Sequence, residues 1–325
     1  MVSARATVRD TRRETFGGVS HELRRESSEA EEDGRVTSSL RVAGVDLAAE
    51  PAGTALAVLQ CEPGAAGQPA LVQLASLELG LDDAALVAGT RDCTLVGIDC
   101  ALGWPAEFVR FVGRHAEGHP PGETDSGDKD WRRSLAYRET DRVVREVSGR
   151  WPLSVATDRL GLTALRCAVL VDRFAADGRV VDRSGAAPSG VVEVYPAMAL
   201  RHWGLTQRQY KTDVDARRTL IAALEQAAPW LDVSAHRELM TSSADALDAV
   251  IAALVALAHA LGATLAPTAA QVALARVEGW IAMPTLSLAE LGARALAPTP
   301  TSAPAPATPS AHLAAPPSAL PPEGE

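Results

Sequence analysis

The chain has 325 residues, a formal net charge of −10 and a 47% hydrophobic share. That is enough for one large or two modest packed domains, and the acidic balance excludes a protein coated in basic surface, so nucleic acid would have to be gripped by a local patch. Four cysteines (Cys61, Cys93, Cys100 and Cys167) show neither Cys-x-x-Cys nor zinc-ligand spacing, which excludes a zinc ribbon and suits reduced thiols in a cytoplasmic protein.

Residues 1–39 mix Arg, Glu and Ser without periodic hydrophobicity and lack the apolar core of a signal peptide; they read as a disordered charged arm. Three strands follow, Val42–Asp46, Thr54–Gln60 and Leu71–Leu79. The short Leu47–Gly53 connection makes the first two an antiparallel hairpin. Asp82–Val87 predicts a short helix, and the continuous apolar run Thr94–Ile98 predicts a strand buried on both faces. A largely helical insertion spans about residues 100–189, with helical periodicity at Arg133–Val147 and Leu162–Phe174 and a loop at His119–Asp128. Val191–Val194 reads as a strand, Val214–Ala227 and Asp245–Leu261 as helices. The apolar stretch Ala249–Leu265 begins just after two acids and contains His259, so it is a buried helix rather than a membrane span. From about Glu290 the chain turns to Ala, Pro, Thr and Ser, the composition of a flexible tail over residues 290–325. One folded domain over residues 40–289 is expected, with no membrane association.

Acidic residues stand where these elements end or begin. Asp46 and Asp99 close two strands, Glu193 lies in a third, and Asp245 and Asp248 open the long apolar helix at i and i+3. Carboxylates that converge from strand ends and a helix start suit a hard cation, Mg²⁺ or Mn²⁺, able to organise phosphate chemistry. In a two-ion site one rigid carboxylate bridges the ions. Asp46 is the candidate for that role, Asp99 reaches the same edge from the adjacent parallel strand, and either or both of Asp245 and Asp248 complete the set. Each acid also has a plainer role open to it. Strand-end aspartates cap turns, and Ser242-Ser-Ala-Asp245 fits a capping box. Asp248 lies deeper among apolar residues, where an unpaired acid is costly. Glu193 either supports the ligands from behind or pairs with an arginine.

Antiparallel strands, a helix, a parallel strand and a helical completion give the order of an RNase H-like mixed sheet flanked by helices. Gly44-Val-Asp-Leu-Ala48 with Gly53-Thr54, Ile98-Asp-Cys-Ala-Leu-Gly-Trp-Pro105, Arg138-Glu-Thr-Asp141, Glu193-Val-Tyr-Pro-Ala197, Tyr210-Lys211, Asp245-Ala-Leu-Asp-Ala249 and Glu278-Gly-Trp-Ile281 occur in that order. Together they resemble the domain-of-unknown-function 429 family, described as predicted nucleases of RNase H-like fold, over roughly Val42–Pro284. Cys100-Ala101 departs from the family's more usual Ala-Pro and leaves Asp99 in place. The resemblance implies phosphodiester hydrolysis on DNA or RNA.

Arg138, Arg142 and Arg145 share a helical face with Asp141, either as internal salt bridges on an exposed helix or as a phosphate clamp. Lys211 with Arg217 and Arg218 is a second basic candidate. Trp104, Trp203 and Trp280 suit packing better than base stacking, and His115, His119, His202 and His259 lack ligand spacing. The candidate catalytic residues are therefore Asp46, Asp99, Asp248 and Glu193, the candidate metal ligands Asp46, Asp99, Asp245 and Asp248, and the candidate substrate-binding residues Arg138, Arg142 and Lys211. Two other functions compete with a metal-dependent nuclease. One is a non-catalytic binding module on the same fold. The other is a phosphotransferase of the actin-like branch, which wants a glycine two residues after the first Asp, where this chain has Ala48.

Overall fold

A computed structural model describes residues 39–62, 71–119, 126–206 and 208–297. The charged arm before residue 39, most of the His119–Asp128 loop and the Pro-rich tail beyond residue 297 lie outside them. The elements run β1 (Leu40–Asp46), β2 (Ala55–Glu62), β3 (Leu71–Leu79), α1 (Asp83–Gly89), β4 (Leu95–Asp99), α2 (Ala106–Ala116), α3 (Lys129–Ala136), α4 (Glu139–Ser148), α5 (Gly161–Ala176), β5 (Gly190–Glu193), α6 (Pro196–His202), α7 (Val214–Ala227), β6 (Leu231–Asp232), α8 (Arg237–Ser242), α9 (Ala244–Ala260), α10 (Ala269–Glu278) and α11 (Leu288–Ala295). The fold is α/β, with a six-stranded sheet in the order β5-β4-β1-β2-β3-β6. β2 lies between β1 and β3 and is antiparallel to both; β4 joins β1 in parallel and β5 joins β4 in parallel, as the strand patterns led one to expect.

Strand composition follows position in the sheet. Central β4 is buried on both faces up to Ile98 and reads as one apolar run, whereas β3 alternates buried Val72 and Leu74 with exposed Leu71 and Gln73. The period of two divides the core into two layers. Val42, Leu59, Leu74, Leu95 and Val192 face α9, with residues of α6, α7, α8 and α11 in the same cluster. Ala43, Val45, Val58, Val96 and Ile98 face the other way, onto Leu86 of α1 and Leu170 and Phe174 of α5. Helix α9 is buried at every position from Ala246 to His259, which explains why it is apolar all round. Among the described residues no helix is long and apolar enough to cross a membrane.

Two features depart from the sequence-based expectation. The single helix expected over Arg133–Val147 is broken: α3 stops at Ala136, Arg138 adopts an extended backbone (φ −73°, ψ 166°), and α4 starts afresh at Glu139. The folded part also extends past residue 289. A capping box, in which Ser287 and Glu290 satisfy each other's backbone amides, starts α11, and Leu288 and Leu291 are buried in the α9 layer. Local composition hid this helix because it is short, carries Gly292 in its middle and runs straight into the Pro-rich tail.

Helix α9 meets the sheet through glycine. A Cβ on Gly44 of β1 would overlap the backbone of Ala249, Ala252 and Ala253, and one on Gly97 of β4 would lie 2.8 Å from Val194 Cγ1 and 3.1 Å from the Ala252 carbonyl oxygen. Gly44→Ala is therefore expected to destabilise the protein by about 3 kcal/mol or more, because backbone rather than a flexible side chain has to give way. Gly113→Ala, in α2 with nothing within 4 Å, should be neutral or slightly stabilising. Urea unfolding of both variants measures this; equal midpoints would contradict the close approach of α9.

Candidate functional site

Parallel pairing places Gly44 opposite Gly97 and Asp46 opposite Asp99. Both aspartates stand two residues beyond a glycine that touches α9, so by strand alternation both side chains rise on the α9 face. They lie at the carboxyl ends of β1 and β4, the edge where open α/β sheets carry their ligand sites. Each is half-buried, and no described side chain or amide donates a hydrogen bond to either.

Helix α9 delivers the third carboxylate. Its N-cap is Ser243, whose hydroxyl accepts from Ala246 N. Asp245 is thus the second helical residue and takes no part in the cap, contrary to the capping box expected from Ser242. One turn on, Asp248 is 1% exposed. Tyr210 OH donates to Asp248 Oδ1 at 2.8 Å and Lys211 Nζ pairs with Oδ2 at 2.8 Å. The loop carrying these two residues is set by its neighbours. Gln209 takes a left-handed conformation (φ 64°), uncommon outside glycine. Arg217 is buried and donates to the carbonyls of Tyr210, Thr241 and Ser242, tying the loop to the start of α9. Arg217 is therefore a strut rather than a surface cation, and Arg218 pairs with Asp215.

The electrostatics follow from crowding. Burial first and the Asp248 charge second push the Asp46 carboxyl up to about 7, with Asp245 adding and Lys211 opposing. Burial, then Asp46 and Asp248, hold Asp99 well above the usual carboxylate range. Burial and then Asp248 also raise Asp245. Burial works against the Lys211 charge, but Asp248 outweighs it and keeps the ammonium above its ordinary value. One cation thus faces several acids.

Glu193 does not join them. It pairs with Ile98 rather than Asp99 across the β4–β5 ladder, so strand alternation turns it to the opposite face of the sheet. There Arg138, 3% exposed, donates Nη1 and Nη2 to the two Glu193 oxygens at 2.7 Å each and Nη2 to Asp141 Oδ1 at 2.9 Å. Arg138 is consequently no phosphate clamp: its guanidinium is consumed inside the protein, and reaching Glu193 is what interrupts the α3–α4 helix. Leu102 N donates to Glu193 Oε2. Glu278 receives the first amides of two helices, Ala106 N at 2.7 Å and Glu139 N at 2.8 Å. Gly279 passes over the pair at φ 87°, where a Cβ would lie 2.9 Å from Glu193 Oε2. Arg142 stays half-exposed beside Glu139 at 3.5 Å. The Trp280 indole donates to Leu265 O, and both His259 nitrogens are engaged, by Thr264 and Ala187, so neither is free for a ligand.

A protein-family model described as "Protein of unknown function (DUF429)" matches residues 44–272. The chain belongs to this family. No curated protein and no solved structure matches it. In this DUF429 protein the matched span starts at the glycine that seats α9 and includes Asp46, Asp99, Lys211, Asp245 and Asp248, and it ends before the Glu278 bracket. Carboxylate oxygens are the right donors for Mg²⁺ or Mn²⁺, and among the described residues nothing donates to Asp46 or Asp99. Yet among the described residues no group of three or more His, Cys, Asp or Glu side chains is arranged to hold an ion, and Lys211 and Tyr210 occupy both oxygens of Asp248. The donor set suits a cation at the Asp46–Asp99 corner; Asp248 becomes available only when Lys211 leaves it. Sequence reasoning placed Tyr210 in a family fragment with Lys211 but gave it no role; the structure makes it a donor to Asp248.

Two outcomes test this description. Asp46 is protonated more readily folded than unfolded, so its stabilisation is fully present below about pH 4, the unfolded value, and is lost as pH rises through about 7. Asp46→Asn should match wild type near pH 4 and exceed it at pH 8 by at least about 1.4 kcal/mol, one pK unit's worth. Denaturant melts at the two pH values check the sign. Arg138→Ala strands buried carboxylates and should cost about 3–5 kcal/mol; a stable variant with weakened substrate binding would instead restore the surface-clamp reading.

Proposed function

We propose that this DUF429 protein hydrolyses phosphodiesters with the help of a divalent cation at the Asp46–Asp99 corner, acting on nucleic acid. The observation that carries the reading is the pairing of two aspartates lacking protein donors, in register on one face and at the carboxyl edge of adjacent parallel strands, beneath Asp248 and Lys211. The strand order β3-β2-β1-β4-β5, antiparallel then parallel, supports an RNase H-like assignment. When bound, Mg²⁺ or Mn²⁺ would supply a Lewis acid for a phosphoryl oxygen and lower the pKa of a coordinated water. The protein's own groups have complementary parts. Asp46, pushed up to about 7 by burial in the metal-free protein, would give up its proton as the cation binds. Lys211 places an ammonium where a phosphate would otherwise meet only carboxylates. Tyr210 holds Asp248 in orientation through its hydroxyl. A second reading, a non-catalytic nucleic-acid-binding module, is favoured by one observation: the Lys211–Asp248 pair already supplies a counter-charge to the cluster.

The test pairs wild type with Asp46→Asn on mixed single- and double-stranded DNA and RNA, with Mg²⁺ or Mn²⁺ and with chelator. Asp46→Asn should lower cleavage by about 100-fold or more while staying folded, and chelator should abolish it in wild type. Cleavage indifferent to both would place the activity elsewhere. No cleavage together with no thermal shift from either metal would favour the binding module.

A further inference from the structure

A pocket of about 220 Å³ is lined by Arg150, Tyr195, Met198, Leu200, Arg201 and Tyr210 among others. It shares Tyr210 with the site, since that hydroxyl holds Asp248. Tyr195 stands two residues past the end of β5, on the same carboxyl edge as Asp46 and Asp99. Pocket and carboxylates therefore meet at Tyr210.

The pocket's chemistry is distinct from that of the carboxylates. Arg150 and Arg201 are exposed and have neither an ion-pair partner nor a side-chain hydrogen bond among the described residues, and the half-buried Tyr195 hydroxyl has no partner there either. The contrast within the molecule is clear. A pocket of about 260 Å³ at the opposite sheet edge also contains two arginines, but Arg91 is held by Asp177 and Arg179 by the carbonyls of Thr90 and Cys93. Those guanidiniums are used up by the fold, whereas Arg150 and Arg201 are available. In a chain of net charge −10, two unpaired guanidiniums beside an acidic cluster form the local patch that an anionic ligand would need. Between them, two tyrosine rings and the Met198 and Leu200 side chains offer an apolar, partly aromatic surface. Ligand pockets for drug-sized molecules run about 300–1,000 Å³, so 220 Å³ takes a single ring system. Guanidinium for phosphate and tyrosine for a planar ring is the recognition chemistry of a nucleotide.

We infer that this pocket is a subsite for one nucleoside phosphate unit, with the phosphate on Arg150 and Arg201 and the base against the tyrosines and apolar wall; the assignment rests on the phosphodiester reading of the neighbouring carboxylates. It replaces Arg138, which is buried, as the phosphate grip of the protein.

Titration calorimetry of the full chain in chelator keeps the cation chemistry out of the measurement. Adenosine 5′-monophosphate and a short single-stranded oligonucleotide are the probes, with inorganic phosphate and adenosine as partial ligands. The nucleotide should bind wild type more tightly than either partial ligand. Arg150→Ala/Arg201→Ala, whose side chains are exposed and whose melting temperature should not change, should weaken nucleotide binding at least about tenfold. Arg91→Ala, in the pocket at the opposite sheet edge, should retain it. An oligonucleotide that outbinds the mononucleotide identifies a strand as the source, and equal affinity identifies a free nucleotide; either supports the subsite. Absence of binding by both probes, equal affinity in wild type and the double variant, or phosphate as tight as the nucleotide would overturn it. The two readings fail separately. Nucleotide binding without any phosphodiester cleavage removes the hydrolase reading alone, and cleavage with an unchanged KM in the double variant removes the subsite alone.

Discussion

Helix α9 can lie against β1 and β4 only because Gly44 and Gly97 present no side chain there, and the geometry of the carboxylate edge depends on that approach. The two glycines are paired across the strands, and each precedes an aspartate by two residues. The spacing that admits the helix also points Asp46 and Asp99 to the side where the helix begins. Any residue with a Cβ at position 44 would lift α9 and carry Asp248 away from the strands with it. The Ala-rich composition of α9 serves the same end, because small side chains let helix and sheet backbones approach closely.

The charged residues fall into two constellations on opposite faces of the sheet, with opposite electrostatic character. Around Arg138 the acids are answered: Glu193 and Asp141 bracket one guanidinium, and Glu278 accepts two helix-end amides. Breaking such a bracket is costly because a buried charge is left behind, and its evident effect here is to lock the insertion α2–α5 and the α10 region onto β5. Around Asp46 the acids are not answered. Asp46, Asp99, Asp245 and Asp248 share Lys211, whose side chain remains more than half exposed. Crowded carboxylates short of protein donors among the described residues oppose stability, and this contrast sets the cluster apart from the Arg138 bracket.

Much of the fold was legible in the sequence. The span Leu71–Leu79 was read to the residue, as was Val214–Ala227, and the long apolar helix was placed within a residue of its ends, because caps and breakers such as Gly80, Asp213, Pro229, Ser243 and Gly262 bound them. Asp46, Asp99 and Asp248 could be singled out because acids at the ends of apolar runs conflict with burial. What stayed hidden depends on distant partners. Nothing near Arg138 announces that Glu193, 55 positions away, will draw its side chain inward and break a helix whose local pattern is continuous. The opposite facing of Glu193 and Asp99 follows from a register offset of one residue between β4 and β5, which pattern alone does not supply. Tyr210 enters the site through a left-handed turn at Gln209 and a buried Arg217, neither of which carries a sequence signature.

The acid cluster crowds like charges together, and Lys211 offsets only part of that repulsion. A cation at the Asp46–Asp99 corner would relieve it and free the ammonium for substrate. Crystals soaked in Mn²⁺ give the most direct reading, because the ion's anomalous scattering locates it independently of any activity. Mn²⁺ should be ligated by Asp46 and Asp99, with Lys211 withdrawn from Asp248. Crystals with no ion at these carboxylates and Lys211 still seated on Asp248, at metal concentrations that saturate any thermal shift, would contradict it.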